Sequence, residues 1–201
     1  TGKPKAVATR HSSAINLIRT QQKTFNIDAH SRVALFASPA FDASFSEIGT
    51  TLWAGASLFI HPYRALIDEA AVIASFCQQW QGTHITLPPA LVTALREEDL
   101  SGIKTLVVAG EACPSALVAR YAAGRKMINA YGPTEATVCA TMSHPLDPVR
   151  DGSENPGSVT IGTPNWNTQI YILDPALNPV PIGVTGELYI AGAGLARGYH
   201  D

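Results

Sequence analysis

The sequence predicts an α/β fold: a mostly parallel sheet with helices on both faces, followed by part of a β-rich subdomain. Three observations carry this. Short apolar runs, such as residues 33–38 (VALFAS) and Thr105–Ala109 (TLVVA), fit strands buried on both faces. Segments of helical spacing alternate with them, which implies parallel strands joined by helical crossovers. From about Ser143 onward Pro, Gly, Asn and Asp become dense, and two strand patterns stand among glycines. The expected division is 1–142 for the α/β part and 143–201 for the start of the β-rich part.

The elements follow in order. After the strand at 33–38, residues 45–56 place Phe45, Ile48, Leu52 and Trp53 at helical intervals. Residues 57–60 form the next strand and 65–80 the next helix. His84–Leu87 is a strand closed by Pro88 and Pro89, which bar further ladder pairing. Residues 89–95 fit a helix opened by proline. Thr105–Ala109 is a strand ending at Gly110, and 114–123 a helix stopped by Gly124. The strand at 126–130 runs into Tyr131-Gly132-Pro133. In the last third, 169–173 (QIYIL) and 187–190 (ELYI) are strands, punctuated by Gly183, Gly186, Gly192 and Gly194.

Composition narrows the function classes. The chain has 201 residues, 46% hydrophobic and 15% charged, with a formal net charge of -2. That apolar content fills a core and excludes a disordered chain. The near-neutral charge argues against nucleic acid as a partner, which calls for a basic face. No apolar run is long enough to span a bilayer. Cys77, Cys113 and Cys139 are odd in number and lack C-x-x-C spacing, so neither a disulfide framework nor a zinc site is indicated. Buried free thiols and a cytoplasmic location are expected. The six histidines show no ligand spacing, and no G-x-S-x-G elbow is present. Trp53, Trp80 and Trp166 are expected to be packing residues. Both ends look cut, which suggests a piece of a longer protein.

In a parallel sheet, ligands sit beyond the carboxyl ends of the strands. Several unusual segments fall there. Asp42, in Phe41-Asp42-Ala43-Ser44, either caps the following helix or anchors a cationic group such as an ammonium. Asn129-Ala130-Tyr131-Gly132-Pro133-Thr134-Glu135 offers a flat ring for a base, a hydroxyl donor for phosphate and a carboxylate for Mg²⁺; the alternative is a Gly-Pro turn before a capped helix. Thr1-Gly2-Lys3-Pro4-Lys5 is either a phosphate loop or a basic terminus. The glycine-dense run 186–199 is hairpin-like, with or without a ligand.

Taken together in this order, the segments resemble the adenylation domains of nonribosomal peptide synthetases. These belong to the adenylate-forming enzymes, which also include acyl-CoA ligases and luciferases. TGKPKA looks like the second half of the phosphate-loop motif S-G-T-T-G-x-P-K-G. FDAS, NAYGPTE and GELYIAGAGLARGY look like three further core motifs, and ITLPPALV, TLVVAGEAC and IGTPNWNTQIYILD are also similar. The resemblance covers nearly the whole chain and implies the large-domain core of such an enzyme.

The resemblance implies a two-step reaction. An amino-acid carboxylate attacks the α-phosphate of ATP with Mg²⁺ present, giving aminoacyl-AMP and pyrophosphate. The acyl group then passes to a phosphopantetheine thiol on a peptidyl carrier protein. Small MbtH-like partners accompany some members. By resemblance, Thr1, Gly2 and Lys5 embrace the pyrophosphate end. Tyr131 packs on the adenine, beside Asn129 and Gly132 of the same motif, with Gly110, Glu111 and Ala112 on the other face. Thr134 contacts the α-phosphate, and Glu135 holds Mg²⁺.

The amino-acid pocket carries over as Asp42, Ala43, Ser46, Thr86, Val107, Ala109, Ala130, Val138 and Cys139, with Asp42 binding the α-ammonium. Phenylalanine pockets of the family are similar but carry tryptophan where Ser46 stands. Ser46 leaves room and a hydroxyl, which implies tyrosine or a hydroxylated relative, with phenylalanine as the alternative. Two departures bear on activity. Ala6 replaces a usual glycine, and the ribose-binding aspartate and the small C-terminal domain with its catalytic lysine would follow residue 201. This segment alone is therefore expected to be a poor catalyst. An acyl- or aryl-CoA ligase and a non-catalytic nucleotide-binding fragment are the rivals.

Overall fold

The computed structural model describes residues 5–60, 69–152 and 159–200. Among these lies a seven-stranded sheet. The strands are β2 (Arg32–Ala34), β3 (Ser57–Phe59), β4 (His84–Leu87), β5 (Thr105–Ala109), β6 (Lys126–Tyr131), β7 (Thr141–Met142) and β8 (Thr163–Pro164). In the sheet order β3-β2-β4-β5-β6-β7-β8 the first five strands run parallel, β7 pairs antiparallel with β6, and β8 pairs antiparallel with β7. The chain moves from β2 to β3 on one side and then to β4 on the other. This reversal is the switch point at which open α/β sheets leave a crevice at the strand ends.

Helices cover both faces, as expected. On one face lie α1 (His11–Phe25) and α2 (Ala43–Trp53); on the other lie α3 (Glu69–Gln79), α4 (Pro89–Ala94) and α5 (Ser115–Tyr121). Strand residues sort by alternation. Val107, Ile128 and Ala130 pack with Leu17 and Phe25 of α1, whereas Leu106, Val108 and Met127 pack with Ile73, Phe76, Val92 and Val118 of α3 to α5. Cys77, Cys113 and Cys139 are free and buried, and burial pushes each thiol up to about 11.

Several expectations shift. The strand expected over 33–38 stops at Ala34, because the backbone N–H groups of Phe36 and Ala37 donate to the Glu47 carboxyl at 3.0 and 2.9 Å instead of to a strand. Helix α1 was not foreseen. Its buried face carries Ser13, Thr20 and Gln21 among the apolar residues, which blurs the hydrophobic period. Part of the helix expected over 65–80 lies outside the described residues. The three tryptophans are each more than half exposed, contrary to a core role. Trp80 does lie edge-on to Phe59, with ring centroids 4.9 Å apart.

Two further pairs of strands complete the architecture. β9 (Thr168–Leu173) and β10 (Glu187–Gly192) form an antiparallel ribbon. β1 (Ala6–Val7) pairs antiparallel with β11 (Tyr199–His200), so the first described strand meets the last.

Candidate active site

The loop after β2 and the loop after β6 share one end of the sheet and line one cleft. A cleft of about 310 Å³ opens there, lined by Val7, Thr9, Arg10, His11, Ala14, Asp42, Phe45, Thr134, Thr137 and Val138. Three of these, Asp42, Thr134 and Val138, are expected site residues from distant parts of the chain.

Asp42 occupies the N-cap position of α2 but makes no side-chain capping bond. Its Oδ2 is buried without a hydrogen-bond partner. A buried carboxyl oxygen left unpaired is costly, and a cation placed against it removes that cost. Of the two roles open to Asp42 in the sequence, capping is not the one the geometry displays.

The opposite wall is strained. Thr137 and Val138 have φ of 57° and 64°. Consecutive β-branched residues in the left-handed region cost on the order of 1–3 kcal/mol each. The Thr137 hydroxyl donates to the Gly194 carbonyl at 2.6 Å, which ties the turn to the glycine-rich run. The turn is also held from behind. At Gly132 a Cβ would stand 2.7 Å from Cys139 Cα and 2.8 Å from its carbonyl carbon. Glycine is needed there for the close approach of two backbones.

The remaining pocket candidates divide by depth. Thr86, Val107, Ala109 and Ala130 stand on adjacent strands, with Thr86 opposite Val107 and Ala109 opposite Ala130. Ser46, Thr86 and Val107 line a narrow space of about 10 Å³ beneath α2, together with Thr50, Val33 and His84. Cys139 is buried in the same layer as Val107 and Ala130, with Ala109 and Val138 packed against it. Ala43 begins α2 directly after Asp42.

The nucleotide candidates lie toward the rim. Tyr131 is exposed. Gly110 has φ of 92° in open space, a conformation that suits glycine. Ala112 is exposed, and Glu111 Oε2 accepts the Ala90 N–H at 3.3 Å. Asn129 is buried, and its amide donates to Thr160 at 3.0 Å. Thr1 and Gly2 fall outside the described residues.

Glu135 sits where the first and last strands meet. It accepts a short hydrogen bond from the Tyr199 hydroxyl. That bond, then its own backbone N–H, and also the charge of Lys5 hold the Glu135 carboxyl below the ordinary range. Lys5 Nζ lies 5.5 Å from the Tyr199 ring centroid. Among the described residues no three His, Cys, Asp or Glu side chains gather into a metal cluster. Glu135 is a candidate ligand for Mg²⁺, which takes one or two carboxylates plus substrate phosphates.

Tyr199, Thr137, Phe45 and the residues of α1 were not singled out from sequence. Tyr199 belongs to a motif that was, but its pairing with Glu135 depends on β1 meeting β11.

A family model described as AMP-binding enzyme matches residues 1–200. The chain belongs to that family. It is 48% identical over 199 residues to a linear gramicidin synthase of Brevibacillus parabrevis, covering 99% of this chain and 2% of that protein. The N-terminal subdomain of Klebsiella oxytoca NpsA in complex with 3-hydroxybenzoyl-AMSN superposes with a TM-score of 0.85 at 26% identity, covering 100% of this chain and 51% of that one. A four-domain nonribosomal peptide synthetase bound to AMP and glycine superposes with a TM-score of 0.84 at 28% identity, covering 99% of this chain and 15% of that one. The chain thus spans a small part of these synthetases and about half of the NpsA subdomain. The resemblance to adenylation domains and the expected α/β core both hold. No described helix is long and apolar enough to cross a membrane.

Proposed function

We propose that this AMP-binding segment forms the amino-acid and nucleotide site of an amino-acid-activating ligase. In the reaction a substrate carboxylate oxygen bonds to the α-phosphorus of ATP and the bond to pyrophosphate breaks. The products are aminoacyl-AMP and pyrophosphate. The phosphopantetheine sulfur of a peptidyl carrier protein then bonds to the acyl carbon and the acyl–phosphate bond breaks, releasing AMP and the thiol proton. The observation that carries this reading is the buried, unpaired Asp42 Oδ2 on the same cleft as Thr134 and Val138. It suits an α-ammonium, which a plain acyl or aryl acid lacks.

The chain's own groups divide the work. Asp42 fixes the ammonium and so orients the carboxylate. Thr134 donates to the α-phosphate as charge builds there. Tyr131 presents a face to the adenine, beside the turn at Gly110, and Lys5 supplies positive charge for the phosphates. Glu135, kept ionised, would hold Mg²⁺, which would neutralise phosphate charge when bound. The strained turn at Thr137 and Val138 closes the amino-acid side.

The substrate proposed is L-tyrosine or a hydroxylated relative. Apart from Asp42 the pocket positions are small and uncharged, and Ser46 and Thr86 place hydroxyls beneath α2. The bound 3-hydroxybenzoyl group of the NpsA subdomain favours aryl-acid activation as the second reading. Amino-acid-dependent ATP–pyrophosphate exchange by the full protein, across the common amino acids, tests both. Exchange stimulated most by tyrosine is the result expected. Exchange led by hydroxybenzoate, with none from amino acids, favours the second reading.

A further inference from the structure

Gln21 lies on α1, outside every motif, and is 3% exposed. The Ser46 hydroxyl donates a short, buried hydrogen bond to its Oε1. The same side chain lies within hydrogen-bonding reach of the Cys139 sulfur. Ser46 and Cys139 are both pocket positions, on α2 and in the segment after β6. One amide from a third element is therefore hydrogen-bonded to a pocket position on α2. Leu17, Phe25, Val107 and Ile128 form the apolar layer nearby, while Glu47, Thr50, His84 and Thr86 line the same narrow space as Ser46. The neighbouring Thr50 hydroxyl is already bonded to the Ser46 carbonyl at 2.7 Å.

The donor count then decides what the pocket end can recognise. A serine hydroxyl has one donor and two acceptor sites. With its proton on Gln21, Ser46 offers only lone pairs. The Gln21 amide still has two N–H donors. We propose that Gln21 is a specificity-determining residue of the amino-acid pocket, turning Ser46 into an acceptor and supplying an N–H donor beside it. Such an end matches a group that both donates and accepts, as a phenolic hydroxyl does. Phenylalanine leaves both functions unanswered. The inference rests on the tyrosine reading given above.

The test is ATP–pyrophosphate exchange by the full protein, reading the ratio of kcat/KM for tyrosine over phenylalanine. Gln21→Met and Gln21→Leu remove the amide at similar volume. The ratio should fall about tenfold, the effect of one buried hydrogen bond. Adding Ser46→Ala to Gln21→Met should lower it little further, because the two side chains act as a unit. A purely structural role lowers both substrates together and leaves the ratio intact; that result in a folded variant overturns the proposal. The wild type gives a second readout independent of any variant. There 4-fluorophenylalanine, which fills the same room but donates nothing to Ser46, should be used no better than phenylalanine. Use equal to tyrosine overturns the proposal. If the wild type shows no preference for tyrosine, the substrate reading falls and Gln21's role falls with it. If that preference survives in both variants, only Gln21's role falls.

Discussion

Replacing Gly132 by alanine tests how the cleft wall is built. The added Cβ would lie 2.7 Å from Cys139 Cα and 2.8 Å from its carbonyl carbon, and closer still to the Ala140 nitrogen. Ordinary contact begins near 3.4 Å, so the 139–140 backbone must retreat by at least about 0.7 Å at Cys139 Cα and further at the Ala140 nitrogen. That backbone is held from several sides. Ala140 N–H donates to the Tyr131 carbonyl at 2.8 Å, Cys139 N–H to Thr137 at 2.7 Å, and Asn165 N–H to Ala140 at 2.9 Å. The overpacking should cost about 1–3 kcal/mol. For a chain of this size that lowers Tm by about 2–12 °C. The same shift moves Val138 and Thr134, and a displacement near 1 Å costs up to about 10²-fold in rate. Scanning calorimetry and pyrophosphate exchange read the two effects. Gly110 is the contrast, because its φ is 92° in open space. There alanine costs only about 1 kcal/mol through the backbone, and asparagine recovers part of it. No side chain recovers Gly132. A Gly132→Ala protein with unchanged Tm and unchanged exchange would refute the reasoning.

Two further outcomes follow from the titrating groups. Tyr199→Phe removes the main hydrogen bond that lowers the Glu135 carboxyl, so Glu135 should titrate closer to its ordinary 4.5. The ionised, hydrogen-bonded Glu135 contributes stability above its unfolded-state pKa and loses it as pH falls through the folded one. The variant should therefore be less stable than wild type at pH 7, with the gap closing in acid; carboxyl NMR titration and urea midpoints check this, and an unmoved Glu135 titration contradicts it. The three thiols, pushed up to about 11 by burial, should resist iodoacetamide at pH 8 in the folded protein and react after denaturation. Mass spectrometry showing a thiol alkylated with the fold intact counts against that burial.

Much of the sheet was legible because its strands declare themselves. Thr105–Ala109 is an apolar run ended by Gly110, and His84–Leu87 is a short segment closed by Pro88; their observed limits match the expected ones. The strand at residue 33 was read too long because its end depends on Glu47, eleven residues away from Phe36 and on another element. Helix α1 stayed hidden because it buries polar Ser13, Thr20 and Gln21: Thr20 bonds back to the Asn16 carbonyl at 2.7 Å, whereas Ser13 and Gln21 meet partners on other elements. Ser13 approaches the Leu195 carbonyl, for instance, at 3.5 Å. The motif residues Asp42, Thr134 and Val138 were visible as a set through family resemblance. Their convergence on one cleft, the unpaired Oδ2 and the Tyr199–Glu135 bond are products of tertiary structure. No local pattern in the chain announces them.

The most direct test of the central claim compares tyrosine with 3-(4-hydroxyphenyl)propionate, its analogue lacking the ammonium, in wild type and Asp42→Asn. Pyrophosphate exchange is read for both substrates in the full protein. A charge-assisted hydrogen bond is worth about 1.5–3 kcal/mol, so wild type should prefer tyrosine by at least about tenfold to a hundredfold. Asp42→Asn should lose most of that preference. Removing a carboxyl with a buried, unpaired oxygen should leave its Tm equal or higher. An Asp42→Asn protein that still prefers tyrosine as strongly as wild type would contradict the assignment of Asp42 to the ammonium, and with it the amino-acid reading of the cleft.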